Sequence, residues 1–129
     1  MRLLLDTHIF LWYISRDKRL PRIYLNAIRN LNNDVNLSVV SLWEVIVKYK
    51  LGKLTLPQTP EIYIPIQRDH HNINTLSLDE ASVAHLSNLP DYHRDPFDRM
   101  LICQALEHHL ELMTMDEVIL EYPVASFRP

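Results

Sequence analysis

A single glycine, Gly52, stands in 129 residues. Phosphate-cradling loops and dinucleotide fingerprints need several glycines, for tight turns and for close approach of backbone to phosphate. The usual nucleotide-cradling folds are excluded on that count. The one cysteine, Cys103, cannot close an intramolecular disulfide. Its apolar helical surroundings place it in a core, and a reducing cytoplasm is the expected compartment. No apolar run approaches ~18 residues, so no membrane-spanning helix is expected. The opening run Arg-Leu-Leu-Leu breaks at Asp6, too early for a signal peptide. A basic surplus is missing too. The net charge is −3, whereas nucleic-acid-binding domains usually carry an excess of Lys and Arg. Neither a Cys/His zinc spacing nor H-E-x-x-H nor G-x-S-x-G occurs. The pairs His70-His71 and His108-His109 fall near helix ends, where solvated histidines are common.

What is present suits one compact domain over residues 1–129, with 47% hydrophobic and 22% charged residues. Arg2 to Leu5 reads as a buried strand, and Thr7 to Ile14 as a helix leaving its end. Pro21 opens a second helix, with Ile23, Leu25, Ile28 and Leu31 as its inner face. Asn32-Asn33-Asp34 is a turn, and Asn36 to Val40 a second strand. Ser41 starts a helix through Lys50, closed by Gly52. Thr59-Pro60 opens the next helix, which Pro65 should kink or shorten. Ile73 to Leu76 is a third strand. Ser77-Leu-Asp-Glu80 reads as a capping box for a helix to about Asn88. After a polar loop, Leu89 to Arg94, a helix follows from Phe97 to His109. Glu111 to Met115 is a fourth strand, Val118 to Leu120 a helical turn, and Tyr122 to Ala125 a last edge strand. Strands alternating with helices predict an α/β fold: three layers, α/β/α, around a mainly parallel sheet of about four or five strands.

In such sheets a ligand site lies at the carboxyl ends of the strands. Asp6 and Asp116 follow strands directly, while Glu44 and Asp98 fall in the first turns of helices. All four therefore project toward one edge. Singly, each has an ordinary reading. Ser41-Leu-Trp-Glu44 fits a capping box. Asp95-Pro96 is a natural helix start, with Asp98 favoured at the third position by the helix dipole. Asp116 passes for a turn residue. Asp6, after a buried strand, is costly unless paired. Together they repel: at ~4 Å and an effective dielectric of 20, each pair costs about 4 kcal/mol before relaxation. Protonation, an arginine (Arg94 or Arg99) or a cation must offset this. An all-oxygen cluster suits Mg²⁺ or Mn²⁺. His8 and His93 lie close enough in sequence to contact a substrate. Trp12 and Trp43, each in an apolar run, read as core or interface.

The chain resembles a PIN-domain protein of the VapC type, the toxin half of a bacterial toxin–antitoxin pair. Leu3-Leu-Leu-Asp-Thr-His8 with Leu11-Trp12 resembles that family's opening strand and first acid. Ser41-Leu-Trp-Glu-Val-Ile-Val-Lys48 with Leu51-Gly-Lys-Leu54 resembles its second block. His93-Arg-Asp-Pro-Phe-Asp-Arg99 resembles the most distinctive block of one subgroup, and Leu112-Met-Thr-Met-Asp116 the strand before the last acid. The resemblance implies a metal-dependent endoribonuclease leaving 5′-phosphate and 3′-hydroxyl ends. It assigns Asp6, Glu44, Asp98 and Asp116 to an Mg²⁺ or Mn²⁺ site, with Asp95, Thr114 and Arg99 in support. It further implies an RNA substrate, a homodimer and a VapB-like antitoxin that blocks the site. Two positions depart from the pattern. His8 stands where many relatives have Asn or Ser, and His108-His109-Leu110-Glu111 replaces a turn that often holds Gly.

Setting the four acids aside moves the formal charge from −3 to +1. Lys48 and Lys53, with Lys50, flank the Glu44 helix, and Arg94 flanks Asp98; these are the expected RNA phosphate contacts, though a solvated lysine face has the same composition. The sequence is also compatible with two alternatives. One is a catalytically degenerate PIN domain acting as an RNA- or protein-binding module. The other is an aspartyl-phosphate phosphatase, weakened because those enzymes carry D-x-D where this chain has Asp6-Thr-His8.

Overall fold

The computed structural model describes residues 1–128. Its centre is β1 (Arg2–Leu5), whose Leu3, Leu4 and Leu5 are completely buried. A continuous apolar strand of this kind is what a parallel sheet covered on both faces requires. β1 pairs with β2 (Asp34–Ser38) on one side and with β4 (Glu111–Met113) on the other; β3 (Asn74–Leu76) lies outside β2. All pairings are parallel, in the order β3-β2-β1-β4. Alternation along β1 divides the core. Leu3 and Leu5 join α1 (Thr7–Ser15), α2 (Arg22–Arg29) and α4 (Pro60–His70) in one cluster. Leu4 faces the other way, with Leu101, Ile102 and Ala105 of α6 (Pro96–His108) and Ile119 of α7 (Glu117–Leu120). These are the three layers expected. The strand order reverses between β1 and β4, and that reversal opens a crevice beyond their carboxyl ends. Leu5 pairs with Met113 there, so Asp6 and Thr114 emerge side by side.

Several expected elements shift. β2 ends at Ser38, and α3 (Val39–Lys50) starts there with the Ser38 hydroxyl accepting from Val40 N–H at 2.9 Å. Ser41 is not the cap; it is a buried residue one turn in. Glu44 consequently lies in the second turn rather than the first, and its carboxylate is released from capping. The same hydroxyl of Ser38 meets Gln104 Oε1 at 2.5 Å, and Gln104 Nε2 donates to the Ser77 carbonyl, binding α6 to both loops. The inner face of α2 is Tyr24, Ala27 and Ile28, whereas Leu31 is 94% exposed and Ile23 half exposed, because the helix begins at Arg22 and ends at Arg29. Pro65 does not stop α4, which runs through it to His70.

The expected Ser77–Glu80 capping box is replaced by Asp79, which accepts from Ser82 N–H at 2.9 Å and starts α5 (Glu80–Ala84). The helix tightens into a 3₁₀ turn over His85–Asn88. No strand forms over residues 122–125; the chain adds only a parallel bridge of Ser126 to Leu112. The glycine-free turn before β4 closes because His109 itself takes the left-handed conformation, φ 55°, a geometry that glycine adopts more readily. Gly52 closes α3 with φ 74° as expected. Trp43 is not a core residue: it is 55% exposed, its ring edge-on to Phe97.

Candidate active site

Beyond the carboxyl ends of β1 and β4 lies a pocket of about 310 Å³, lined by Asp6, Glu44, Lys48, Asp95, Asp98 and Asp116 among others. The four acids singled out from sequence meet here, and Asp95 joins them. Three are helix-start residues, placed by the same local rule: a carboxylate beside free N–H groups at a helix N-terminus is favoured. Asp6 caps α1, Asp95 caps α6 and Asp116 caps α7.

Asp6 is almost fully buried. Its Oδ1 accepts from Thr7 N–H at 2.7 Å, and its Oδ2 accepts from the Thr114 hydroxyl at 2.6 Å. Thr114 in turn accepts from Asp116 N–H at 3.0 Å, so one hydroxyl ties the first acid to the last. His8 Nδ1 lies 3.2 Å from Asp6 Oδ2. Glu44 is held from two sides. Thr7 Oγ1 lies 2.7 Å from Glu44 Oε1 and 2.8 Å from Ser41 Oγ. With one proton, that hydroxyl donates to the carboxylate and accepts from Ser41. Lys48, one turn along α3, pairs with Oε2. Asp95 Oδ1 accepts from Phe97 and Asp98 N–H at 2.8 and 3.2 Å. Asp116 Oδ1 caps Val118 and Ile119.

His93 joins the remaining two acids. Its Nε2 lies 3.1 Å from Asp98 Oδ2 and 3.0 Å from Asp116 Oδ2. Its Nδ1 accepts from Asp95 N–H at 3.1 Å, and its own N–H donates to the Tyr122 hydroxyl at 2.7 Å. Arg99 does not neutralise the acids, as its sequence position proposed. It points outward to the His93 loop, donating to the Pro90 carbonyl at 2.9 Å and pairing with Asp91 at 3.2 Å. Arg94 is exposed and lies outside the pocket lining. The positive charges against the carboxylates are Lys48, His93 and His8.

The electrostatics follow from this inventory. Burial and the charges of Asp6, Asp95 and Glu44 push the Asp98 carboxyl up to about 7, with His93 opposing them. Burial also works against charge at Asp116, but the hydrogen bond from His93 and those from Val118 and Ile119 N–H outweigh it and hold the group below the ordinary Asp value. Burial disfavours charged imidazole at His8 and His93, and the facing carboxylates overcome it; both are held above the ordinary His value. Asp98 is thus the acid whose charge the protein leaves least compensated.

That imbalance, with the donor chemistry, fits a divalent cation. Ligand atoms of Glu44, Asp95 and Asp98 lie within 4.8 Å of one another, as do those of His93, Asp98 and Asp116. Asp98 belongs to both groups. Asp6 belongs to neither, although it lines the same pocket and bears on Asp98 through its charge. The donors are carboxylates with one imidazole and no thiolate, a set that suits a hard ion. Sequence reasoning underrated His93, Thr7 and Ser41. The spacing of His93 from Asp98 put it near the site, but its contact with Asp116 depends on β4 lying beside β1.

Asp95→Ala separates capping from charge. Loss of the cap is expected to cost ~0.5–2 kcal/mol. Relief of repulsion on Asp98 brings the net cost toward the lower end, and the Asp98 carboxyl should titrate below about 7. Denaturant unfolding and carboxyl NMR titration check the two effects.

The PIN domain family profile matches residues 3–124, and the chain belongs to the PIN domain family. It is 32% identical over 74 residues to ribonuclease VapC16 of Mycobacterium tuberculosis, and the match spans 52% of either chain. The chain thus matches about half the length of that curated relative. Among solved structures, VapBC2 from Rickettsia felis bound to a promoter DNA fragment superposes with a TM-score of 0.73 at 17% identity, covering 99% of this chain and 98% of that one. FitAcB from Neisseria gonorrhoeae superposes with a TM-score of 0.65 at 20% identity, covering 98% and 97%. These two likenesses establish the fold. No helix among the described residues is long and apolar enough to cross a membrane.

Proposed function

We propose that this PIN domain is a metal-dependent endoribonuclease acting as the toxin of a toxin–antitoxin pair. One observation carries the reading: five carboxylates, four at the starts of three helices and one from a helix interior, enter a single pocket, and Asp98, which touches both groups of potential ligands, is pushed to about 7. Asp6, Asp98 and Asp116 would hold Mg²⁺ or Mn²⁺, with Glu44 as a further ligand or as the group that orients the attacking water. When bound, such an ion lowers the pKa of water and stabilises negative charge on a phosphodiester.

The chain's own residues prepare this site. Thr114 fixes Asp6 and the Asp116 backbone in one relation, and Thr7 with Ser41 fixes one oxygen of Glu44. Lys48 is committed to Glu44, which makes it a positioning group more than a phosphate contact. Lys53 lines the pocket, is exposed, and makes no ion pair among the described residues, so it suits a phosphate oxygen. Arg99, through the Pro90 and His93 carbonyls, holds the loop that carries His93. The relatives VapC16 and VapBC2 support assigning RNA as substrate and a VapB-like antitoxin as partner. A homodimer accompanies that assignment.

The experiment is incubation of cellular RNA with the protein in Mg²⁺ or Mn²⁺, with and without EDTA, followed by end mapping. Endonucleolytic cuts bearing 5′-phosphates, lost in EDTA, are expected. Undiminished cutting in EDTA would remove the metal from the account.

A further inference from the structure

Five of the thirteen Lys and Arg residues fall between positions 16 and 29, against one acid, Asp17. The rest of the chain is strongly acidic, so the positive charge is concentrated rather than spread. Arg16, Lys18, Arg19, Arg22 and Arg29 are all exposed. Arg19 spends its charge on Asp17, 2.7 Å away. Arg16, Lys18, Arg22 and Arg29 make no ion pair among the described residues.

These four are grouped around a depression. A cavity of about 440 Å³ is lined by all of them, with Trp12 and Tyr13 as its aromatic wall. Arg16 and Arg29 also line an adjoining cavity of about 360 Å³ with His70 and His71. The positive field registers there: burial and the neighbouring His70, Arg16 and Arg29 hold the His71 imidazole below its ordinary value.

Shared lining residues connect the basic depression to the acidic pocket through a third cavity between them. Leu11 and Leu54 line both the acidic pocket and an apolar cavity of about 410 Å³. Trp12 and Asp17 line both that cavity and the basic one. The Arg19 guanidinium lies 5.0 Å over the Trp12 ring at this junction. A path therefore leads from the carboxylates along α1 (Thr7–Ser15), over an aromatic residue, to four free cations. α1 is nine residues long, or ~14 Å, which corresponds to about four stacked nucleotides at ~3.4 Å each. A positive groove interleaved with aromatic rings is the chemistry that binds single-stranded nucleic acid without sequence preference.

We infer that Arg16, Lys18, Arg22 and Arg29 form a phosphate-binding strip for single-stranded RNA flanking the cleavage pocket. The inference rests on the nuclease reading for its substrate class, and goes beyond it in locating where the strand runs. The expected RNA contacts move accordingly, from Lys48 and Arg94 to this face, with Lys53 at the pocket itself.

The test is binding of a fluorescein-labelled 15-nucleotide uridine strand in EDTA, by anisotropy at several salt concentrations. The native protein is compared with the triple variant Arg16→Gln/Arg22→Gln/Arg29→Gln. All three positions are exposed, and equal thermal midpoints confirm that the variant is folded. The variant is expected to bind at least tenfold more weakly, with a log–log salt slope shallower by about 2, at ~0.7 per lost phosphate contact. Poly-L-glutamate of equal charge should displace the strand poorly. Affinity and slope unchanged within twofold, or displacement by poly-L-glutamate as effective as by unlabelled RNA, would overturn the strip. Turnover of bis-p-nitrophenyl phosphate with Mn²⁺, a diester too small to reach the strip, should be equal in both proteins. Absence of that turnover and of RNA cleavage in the native protein defeats the nuclease reading, while the binding comparison still judges the strip.

Discussion

Asp98→Asn is expected to stop RNA cleavage and, in the metal-free protein, to raise stability. The two effects have one cause. Asp98 is nine-tenths buried, is shared by both groups of potential ligands, and is pushed to about 7 by burial and by the charges of Asp6, Asp95 and Glu44. A shift from 3.8 to about 7 corresponds to at most ~4 kcal/mol at 1.36 kcal/mol per unit. Asn keeps the shape and removes the charge, but it loses the charged contact with His93. A net stabilisation of ~1–3 kcal/mol is expected in EDTA at pH 8, where Asp98 would be ionised. Cleavage should fall at least ~100-fold, since loss of groups merely supporting a metal ligand already costs ~10–100-fold. Urea unfolding in EDTA and RNA cleavage in Mn²⁺ measure the two effects on one variant. A variant both inactive and destabilised would mean that Asp98 is structural, and the charge account would fail.

Stability of the metal-free protein should fall as pH rises from about 4 to 8, and divalent metal should cancel much of that fall. The sign follows from the groups involved. Asp98 has a folded value near 7 and an unfolded value of ~3.9, so the folded state holds the extra proton between them and loses stability as pH rises. His93 and His8 have raised folded values. Their contribution is complete below the unfolded value of ~6.5 and is lost as pH rises through the folded ones. These shifts act in the same direction. Asp116, held below its ordinary value, acts oppositely, but its window lies below pH ~4. Bound metal replaces protons as the counter-charge and favours the ionised acids, so its stabilisation grows with pH. The measurement is the thermal midpoint from pH 5 to 8, in EDTA and in millimolar Mn²⁺. The gap between the two curves should widen toward pH 8. A constant gap would show that the metal does not compete with protons at Asp98.

Much of the fold was readable because its signals are local. Leu3, Leu4 and Leu5 in a row, stopped at Asp6, read as a strand covered on both faces, and Asp95-Pro96 combines a favoured N-cap with a favoured first helical residue. The four acids were readable because parallel topology sends strand ends and helix starts to one edge. The misreadings share a cause as well. Ser38 and Ser41 are equally good caps by composition; the choice fell to Ser38 because Gln104, on a helix 66 residues away, meets its hydroxyl. Asp79 displaced Ser77 by a local bond instead, accepting from Ser82 N–H three residues on. Arg99 looked like a partner for Asp98 from its adjacency, yet successive residues on a helix face apart, and it turned to the His93 loop instead. His93 bridges Asp98 to Asp116, 18 residues further on, across a strand pairing that no local pattern states. The basic strip was visible as a run of letters between Arg16 and Arg29. Only the folded chain places it alongside the acids.

The central claim is that these carboxylates form a divalent-metal site with Asp98 at its centre. Calorimetric titration of Mn²⁺ into the native protein and into Asp98→Asn, at pH 8 without RNA, tests it most directly. The account predicts saturable binding to the native protein and at least tenfold weaker binding to the variant. No binding to the native protein at millimolar Mn²⁺ would contradict it and favour a PIN domain that serves as a binding module.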